Sequence, residues 1–267
     1  MNVAAIASLL REAARQDILP RFRRLAEGDI RAKTGPFDLV TEADEAAERR
    51  ISAGLRAMHP GALIVGEEAA SRDPSLLAAM RDAPLSFVVD PVDGTANFAA
   101  GVPLFGVMCA AIRGGETVAA WIHDPLGDDT LAAERGGGAF ILGDPPRRAR
   151  VAEAVPVGGM LGAVSWGYMD PAAKARILPR LAGLAATVNF RCAAHEYRLA
   201  ATGGAHLLAY NRLLPWDHAP GVLIHAEAGG HAARPDGTPY SPLVHSGGLI
   251  LAPDRPSWEA AVAHLFG

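Results

Sequence analysis

The sequence predicts an α+β N-terminal part followed by an α/β C-terminal part, and three observations carry that reading. Two short apolar runs, Leu63-Ile64-Val65 and Ser86-Phe87-Val88-Val89, each end in acidic residues and read as buried strands. From about Leu104 to Ile141, apolar stretches are separated by Gly114-Gly115 and Gly136-Gly137-Gly138, the pattern of antiparallel strands joined by turns. Beyond Gly143-Asp144-Pro145-Pro146, the clearest break in the chain, strand-like and helix-like segments alternate as in an α/β layer. The break divides the chain into an expected N-terminal domain, residues 1–145, and a C-terminal domain, residues 146–267.

Element by element, residues 2–26 place Ile6, Leu9, Leu10, Ala13, Ala14, Ile18 and Leu25 at helical spacing. A second helix fits from about Glu42 to Met58 and stops before His59-Pro60-Gly61. Thr95-Ala96-Asn97-Phe98 can begin a helix directly after Gly94. In the C-terminal part, strands fit near Leu161–Ser165, Thr187–Phe190, Leu207–Tyr210 and Gly248–Leu251. Helices fit near Pro171–Leu184, Ala193–Thr202, after Trp216, and Ser257–Phe266. There is no internal repeat.

Half of the 267 residues are hydrophobic, enough for a packed core, and 29 Gly with 20 Pro imply many turns. A formal charge of -4 with no Lys/Arg stripe argues against nucleic-acid binding, and Arg147-Arg148-Ala149-Arg150 reads as a solvated loop. Cys109 and Cys192 form neither a disulfide framework nor a metal-type pair, so a reducing, cytoplasmic setting is expected. Met1–Leu10 lacks a basic start and reads as an amphipathic helix, and no stretch approaches the roughly 20 apolar residues of a membrane span. The Gly136 run lacks the strand–turn–helix context of a dinucleotide fingerprint, which sets aside a dinucleotide-binding oxidoreductase.

The chemistry concentrates in carboxylates. In Asp90-Pro91-Val92-Asp93-Gly94-Thr95, Pro91 biases Asp90 towards an extended backbone and Gly94 permits a tight turn. Two acids can then converge as the chain leaves a strand, with the Val92 carbonyl between them as a further oxygen ligand for a hard divalent cation. Two successive turns would explain the same six residues. A helix starting at Thr95 adds free N–H groups suited to phosphate. Glu67-Glu68 ends the other acidic strand. Asp217, after Trp216, precedes an apolar helix and reads equally as its cap. Thr41-Glu42-Ala43-Asp44 reads as a capping box.

Together these motifs resemble the inositol monophosphatase family. Its pattern runs from an acid to Gly-Glu-Glu, then Asp-Pro-Ile/Leu-Asp-Gly-Thr, then Trp-Asp with Gly-Gly eleven residues later. Here stand Asp44, Gly66-Glu67-Glu68, Asp90 to Thr95, and Trp216-Asp217 followed by Gly229-Gly230, with Lys33 and Asp38-Leu39-Val40-Thr41 upstream. The resemblance covers about residues 30–230 and implies a layered αβαβα sandwich. It implies Mg²⁺-dependent hydrolysis of a small phosphate monoester by metal-activated water, with two or three Mg²⁺ ions and a homodimer. Glu67, Asp90 and the Val92 carbonyl would hold one ion, Asp90, Asp93 and Asp217 a second, and Glu67 would help a weaker third. Asp44 and Thr95 would polarise the attacking water, with Glu67 beside them. Asp93, Gly94 and Thr95 would cradle the phosphate, and Lys33 would supply a nearby positive charge.

The departures from the family pattern lie where the substrate's organic part is expected. Tyr210 replaces a common acid six residues before the Trp, and Arg191-Cys192-Ala193-Ala194 replaces Gly-Thr/Ser-Ala-Ala. Arg191 and Tyr210 are therefore expected to contact a substrate other than plain inositol phosphate, unless Arg191 pairs with an acid such as Glu196. Histidinol phosphate, a 3′-phosphonucleotide and, least favoured, fructose 1,6-bisphosphate are alternative substrates. A regulatory, RNA-associated protein with weak activity is the alternative of another class. His123 and His195 read as structural.

Overall fold

The computed structural model describes residues 1–26, 28–35 and 38–267, apart from the side chains of residues 33–35 and Asp38. Helix α1 (Val3–Ala13) is capped by the Asn2 side chain, which accepts the Ala5 N–H at 3.0 Å. The expected single helix over residues 2–26 is broken. It continues as one wide π turn, Ala14–Ile18, and a short 3₁₀ turn, Leu19–Arg21. Pro20 is the reason: it has no N–H to give and disfavours helical backbone before it. A hairpin of β1 (Ile30–Gly35) and β2 (Asp38–Thr41) leads into α2 (Glu42–Met58), which spans the expected residues.

Strand β3 (Leu63–Gly66) is followed by the short helices α3 (Glu67–Arg72) and α4 (Ser75–Ala79). Next come β4 (Ser86–Asp93), α5 (Thr95–Ala99), β5 (Gly106–Arg113), β6 (Glu116–Asp124), β7 (Asp129–Glu134), β8 (Gly138–Ile141) and the edge strand β9 (Arg147–Arg148). These strands form one seven-stranded sheet in chain order, parallel only between β3 and β4.

The second sheet is built from β10 (Leu161–Val164), β11 (Ala186–Val188), β12 (Leu207–Tyr210), β13 (His231–Ala233) and β14 (Leu249–Ala252) in the order β11-β10-β12-β14-β13. The first three strands are mutually parallel and the last two pair antiparallel, so the sheet is mixed. Helices α6 (Pro171–Ile177), α7 (Ala193–Ala201), α8 (Pro215–Glu227) and α9 (Arg255–Phe266) accompany it. The expected helix to Leu184 turns 3₁₀ after Ile177, where Pro179 withholds its N–H.

Five layers follow from which faces are apolar. Ile6, Leu10 and Ile18 with Ala43, Ala47, Ile51 and Leu55 cover one face of the large sheet, against Phe87, Val89, Val107, Cys109 and Trp121. On the other face Met108, Ala120 and Ile122 pack on Tyr197, Ala200, Leu223 and Ile224 of α7 and α8, which in turn cover Leu208 and Leu251 of the second sheet. The far side of that sheet buries Val164, Leu207 and Ile250 against Ile177, Trp258 and Leu265. The result is an αβαβα sandwich, as expected. Among the described residues, no helix is long and apolar enough to cross a membrane.

The central helix pair depends on a close approach. A Cβ placed on Gly221 of α8 would enter the Tyr197 ring of α7. Ala in place of Gly normally stabilises a helix interior by roughly 1 kcal/mol. Here overpacking reverses the sign, and Gly221→Ala is expected to destabilise by about 1–3 kcal/mol in urea unfolding. A neutral or stabilising result would show that α7 and α8 can move apart at little cost.

Candidate active site

The parallel register of β3 and β4 sets Gly66 against Val89, so Glu67, just past the end of β3, comes level with Asp90 on β4. On the other edge of β4, Asp90 faces Met108 and Asp93 faces Gly106. Three steps on β4 thus match two on β5, a bulge at Pro91-Val92 that re-aims the strand end. Without it, residues three apart on a strand would point to opposite faces. Gly94 then takes φ +88, where an added Cβ would stand 2.9 Å from the Leu104 carbonyl oxygen. α5 starts immediately after it.

Asp44 is fully buried at the N-terminus of α2. Its Oδ2 accepts the Thr41 N–H at 2.8 Å and the Thr41 hydroxyl at 2.5 Å, so the expected capping box is present. Its Oδ1 lies 3.0 Å from the Thr95 hydroxyl, which also reaches the Val92 carbonyl at 2.9 Å. One carboxylate therefore caps a helix and meets Thr95. Burial is the main cause that raises the Asp44 pKa to about 7, and Glu67 pushes it the same way.

Asp93 is anchored from the second layer. Its Oδ2 accepts the Ala194 N–H at 2.6 Å and the Cys192 thiol at 2.9 Å. α7 comes this close because Gly106 has no side chain: a Cβ there would sit 2.6 Å from Ala194 Cβ. Burial raises the Asp93 carboxyl, and these donors oppose the rise. Glu48 does a similar task for the other acidic strand end. Its carboxylate accepts the N–H groups of Glu68 at 2.7 Å and Ala69 at 2.9 Å, at the start of α3. Sequence reasoning missed Glu48 and Ala194, and took Cys192 only as a departure. No local pattern marks them, because they reach the site through tertiary packing.

Asp90 is pushed well upward by burial first, then by Glu67, Asp93, Asp217 and Asp44 in turn. That order shows four other carboxylates acting on Asp90. Asp217 is half-buried in the first turn of α8. The neighbouring His218 is held by Tyr197 at 3.0 Å and the Arg212 carbonyl at 2.6 Å. Among the described residues, no three His, Cys, Asp or Glu side chains stand at the spacing of a formed metal site. The donor set itself is all oxygen, four carboxylates (Glu67, Asp90, Asp93, Asp217) and the Val92 carbonyl, which suits a hard divalent cation and no soft one. A cation would offset the repulsion that, after burial, raises Asp90.

The remaining expected residues divide. Arg191 is exposed in a left-handed turn, φ +53, after β11, and its N–H donates to Asn189 Oδ1 at 3.1 Å. Glu196, its conceivable partner, accepts the Phe190 N–H at 2.9 Å and is raised to about 7, mainly by burial. Tyr210 is held in the core. It is 6% exposed, with its ring 5.4 Å from Tyr197 and 4.7 Å from His218. His123 is buried and lowered to about 4 by burial, and His195 Nε2 lies 3.1 Å from the Phe105 carbonyl, so both serve structure. The Lys33 side chain lies outside the described residues.

The profile of the inositol monophosphatase family matches residues 2–266. An inositol-1-monophosphatase of Mesorhizobium japonicum is 33% identical over 207 residues, 76% of this chain and 74% of that one. The Nus factor SuhB of Pseudomonas aeruginosa is 34% identical over 200 residues, 72% of this chain and 71% of that one. The solved structure of the extragenic suppressor protein suhB from Bartonella henselae superimposes with a TM-score of 0.83 at 27% identity, covering 100% of this chain and 98% of that one.

Proposed function

This chain belongs to the inositol monophosphatase family, which makes it a phosphoric monoester hydrolase, and we propose that it is Mg²⁺-dependent and acts on a small polyol or sugar-like phosphate. The observation that carries the proposal is the Asp44–Thr95 contact at 3.0 Å, set beside the carboxylates that raise Asp90. A protein that only binds has no need of a buried base poised near neutrality.

Glu67, Asp90 and the Val92 carbonyl would hold one Mg²⁺, and Asp90, Asp93 and Asp217 a second. When bound, such ions polarise the phosphoryl oxygens and stabilise the developing charge of an in-line displacement. Asp44 accepts, through the Thr95 hydroxyl, the proton of the attacking water, and its raised pKa suits that role at neutral pH. The amides at the start of α5 face the phosphate. Ala194 and Cys192 keep Asp93 in place while the substrate binds. Two buried free thiols, Cys109 and Cys192, support a reducing cytoplasmic setting. A homodimer rests on the family resemblance.

Arg191 is the proposed reader of a second anionic or hydroxyl-rich group. The test is phosphate release from inositol 1-phosphate, histidinol phosphate, a 3′-phosphonucleotide and several sugar phosphates, with Mg²⁺ and with EDTA. Release is expected only with Mg²⁺. Arg191→Ala is expected to lower kcat/KM for the best substrate about tenfold or more, and less for the others. An equal change across the panel would remove Arg191 from recognition. No release from any substrate, by folded protein, would favour the regulatory, RNA-associated alternative.

A further inference from the structure

We propose that a cleft of about 630 Å³ beside α7 is a second binding site, for a phosphorylated small molecule with an apolar or aromatic part. Its walls include Arg147, Arg148, Arg150 and Arg198. Its size falls within the roughly 300–1,000 Å³ of small-molecule sites. Four guanidinium groups around one concavity are unusual in a chain of net charge -4.

The two carboxylates in the same walls, Asp124 and Asp129, are already engaged. Asp124 Oδ1 accepts the N–H groups of Leu126 and Gly127 at 3.0 Å each. Asp129 is ion-paired with Arg198, which also donates to the Ile122 carbonyl at 3.3 Å. Arg148 lies 5.9 Å from the centre of the Phe140 ring. Among the described residues, the guanidinium groups of Arg147 and Arg150 have no hydrogen-bond or ion-pair partner, and both side chains are exposed. Positive charge is left over, and it faces a cavity.

The sequence suggested a solvated loop for this segment; Arg147, Arg148 and Arg150 are exposed, as that reading expects, and the backbone is held at the sheet edge. Arg147 and Arg148 pair with Ile141 and Phe140 on the sheet edge. The Ala149 N–H donates to the Ala139 carbonyl at 2.8 Å, and the Val151 N–H to that of Ala228 at 3.1 Å. Ala149 is buried between its charged neighbours. A pinned backbone presents the guanidinium forks with less entropy to lose on binding, and each fork can take two phosphoryl oxygens. Arginines on an edge strand also discourage strand pairing. That function needs neither a concavity nor the apolar wall that Leu104, Phe190 and Leu199 supply. The wall assigns the ligand an apolar or aromatic part. The cleft is linked to the candidate active site through α7, since His195 lines it and Ala194 holds Asp93.

Titration calorimetry of the full chain in EDTA at low salt, with ADP, pyrophosphate and adenosine as separate probes, tests the site. ADP is expected to bind, to weaken as NaCl rises, and to bind tenfold or more weakly to the double variant R147A/R150A. That variant is expected to melt as the parent does and to keep its Mg²⁺-dependent phosphomonoester turnover. In contrast, D93N is expected to lose turnover and keep ADP binding. Equal ADP affinity in R147A/R150A and the parent, or no binding of ADP to folded protein, would overturn the site. Pyrophosphate binding as tightly as ADP, or adenosine binding as tightly as ADP, would overturn the ligand class.

Discussion

Replacing Thr95 with Ala lowers kcat by about 100- to 1,000-fold and leaves KM within a few-fold of the parent, the size expected when proton transfer to a positioned base is disrupted. Among the described residues, the Thr95 hydroxyl is the side chain that donates to Asp44 Oδ1, while Oδ2 is fixed independently by the Thr41 amide and hydroxyl. Removing Thr95 Oγ1 therefore leaves Asp44 in position and the fold intact, and takes away the group through which water meets the base. The variant Asp44→Asn should lose a similar factor. Combining the two should cost little more than either, because residues that act as one unit are not additive. Steady-state kinetics on the best substrate checks all three variants. A raised KM with unchanged kcat in Thr95→Ala would instead place Thr95 in phosphate binding.

How much of this was legible in advance can be traced residue by residue. The acids at strand ends were legible because Pro91 and Gly94 advertise a chain that must turn, and because Leu63–Val65 and Ser86–Val89 are unbroken apolar runs. Helix α2 was legible from its capping box and the Pro60-Gly61 stop. The proline breaks in the helices expected over 2–26 and 171–184 were also written in the sequence, at Pro20 and Pro179, and apolar periodicity hid them. β13 has only three residues after Gly229-Gly230 and carries no periodic signal. The bulge at Pro91-Val92, the amide of Ala194 on Asp93 and the carboxylate of Glu48 at the start of α3 were not legible. Each is fixed by which element lies beside which, and that depends on features such as the bare Cα of Gly106 rather than on any motif. The solvated arginines at 147–150 were legible from charge pattern, and their place beside a cleft was not, because that depends on which elements pack around them.

The buried carboxyls of metal-free protein contribute a loss of stability as the pH rises from about 4 to about 7, opposed by His123, His218 and His225, which burial lowers from 6.5 to about 4, and Mg²⁺ restores what the carboxyls lose. Asp44 keeps its proton in the fold up to about 7, whereas an unfolded Asp releases it near 3.8. Between those values Asp44 binds more proton in the folded chain than in the unfolded one, so its contribution to the unfolding free energy falls with rising pH and levels off above the folded pKa. For Asp44 that separation is worth on the order of 4 kcal/mol. Glu196, raised from 4.5 to about 7, and Asp90 act in the same direction. At pH 7.5 the carboxylates then repel one another, and Mg²⁺ at a hundred times its Kd should return roughly 2.7 kcal/mol, or on the order of 5–10 °C in Tm for a chain of this length. Asp90→Asn removes the carboxylate most exposed to that field. In EDTA it should melt above the parent at pH 7.5 and show a flatter pH profile, and with Mg²⁺ it should gain little. Its kcat/KM should fall more than about 100-fold, beyond the range typical of residues that merely support a ligand. Differential scanning calorimetry from pH 4 to 8, with EDTA and with Mg²⁺, separates the possibilities. Equal Mg²⁺ shifts in parent and Asp90→Asn would mean that Asp90 is not a ligand, and an Asp90→Asn profile as steep as the parent's in EDTA would mean that the Asp90 carboxyl adds nothing to the pH dependence.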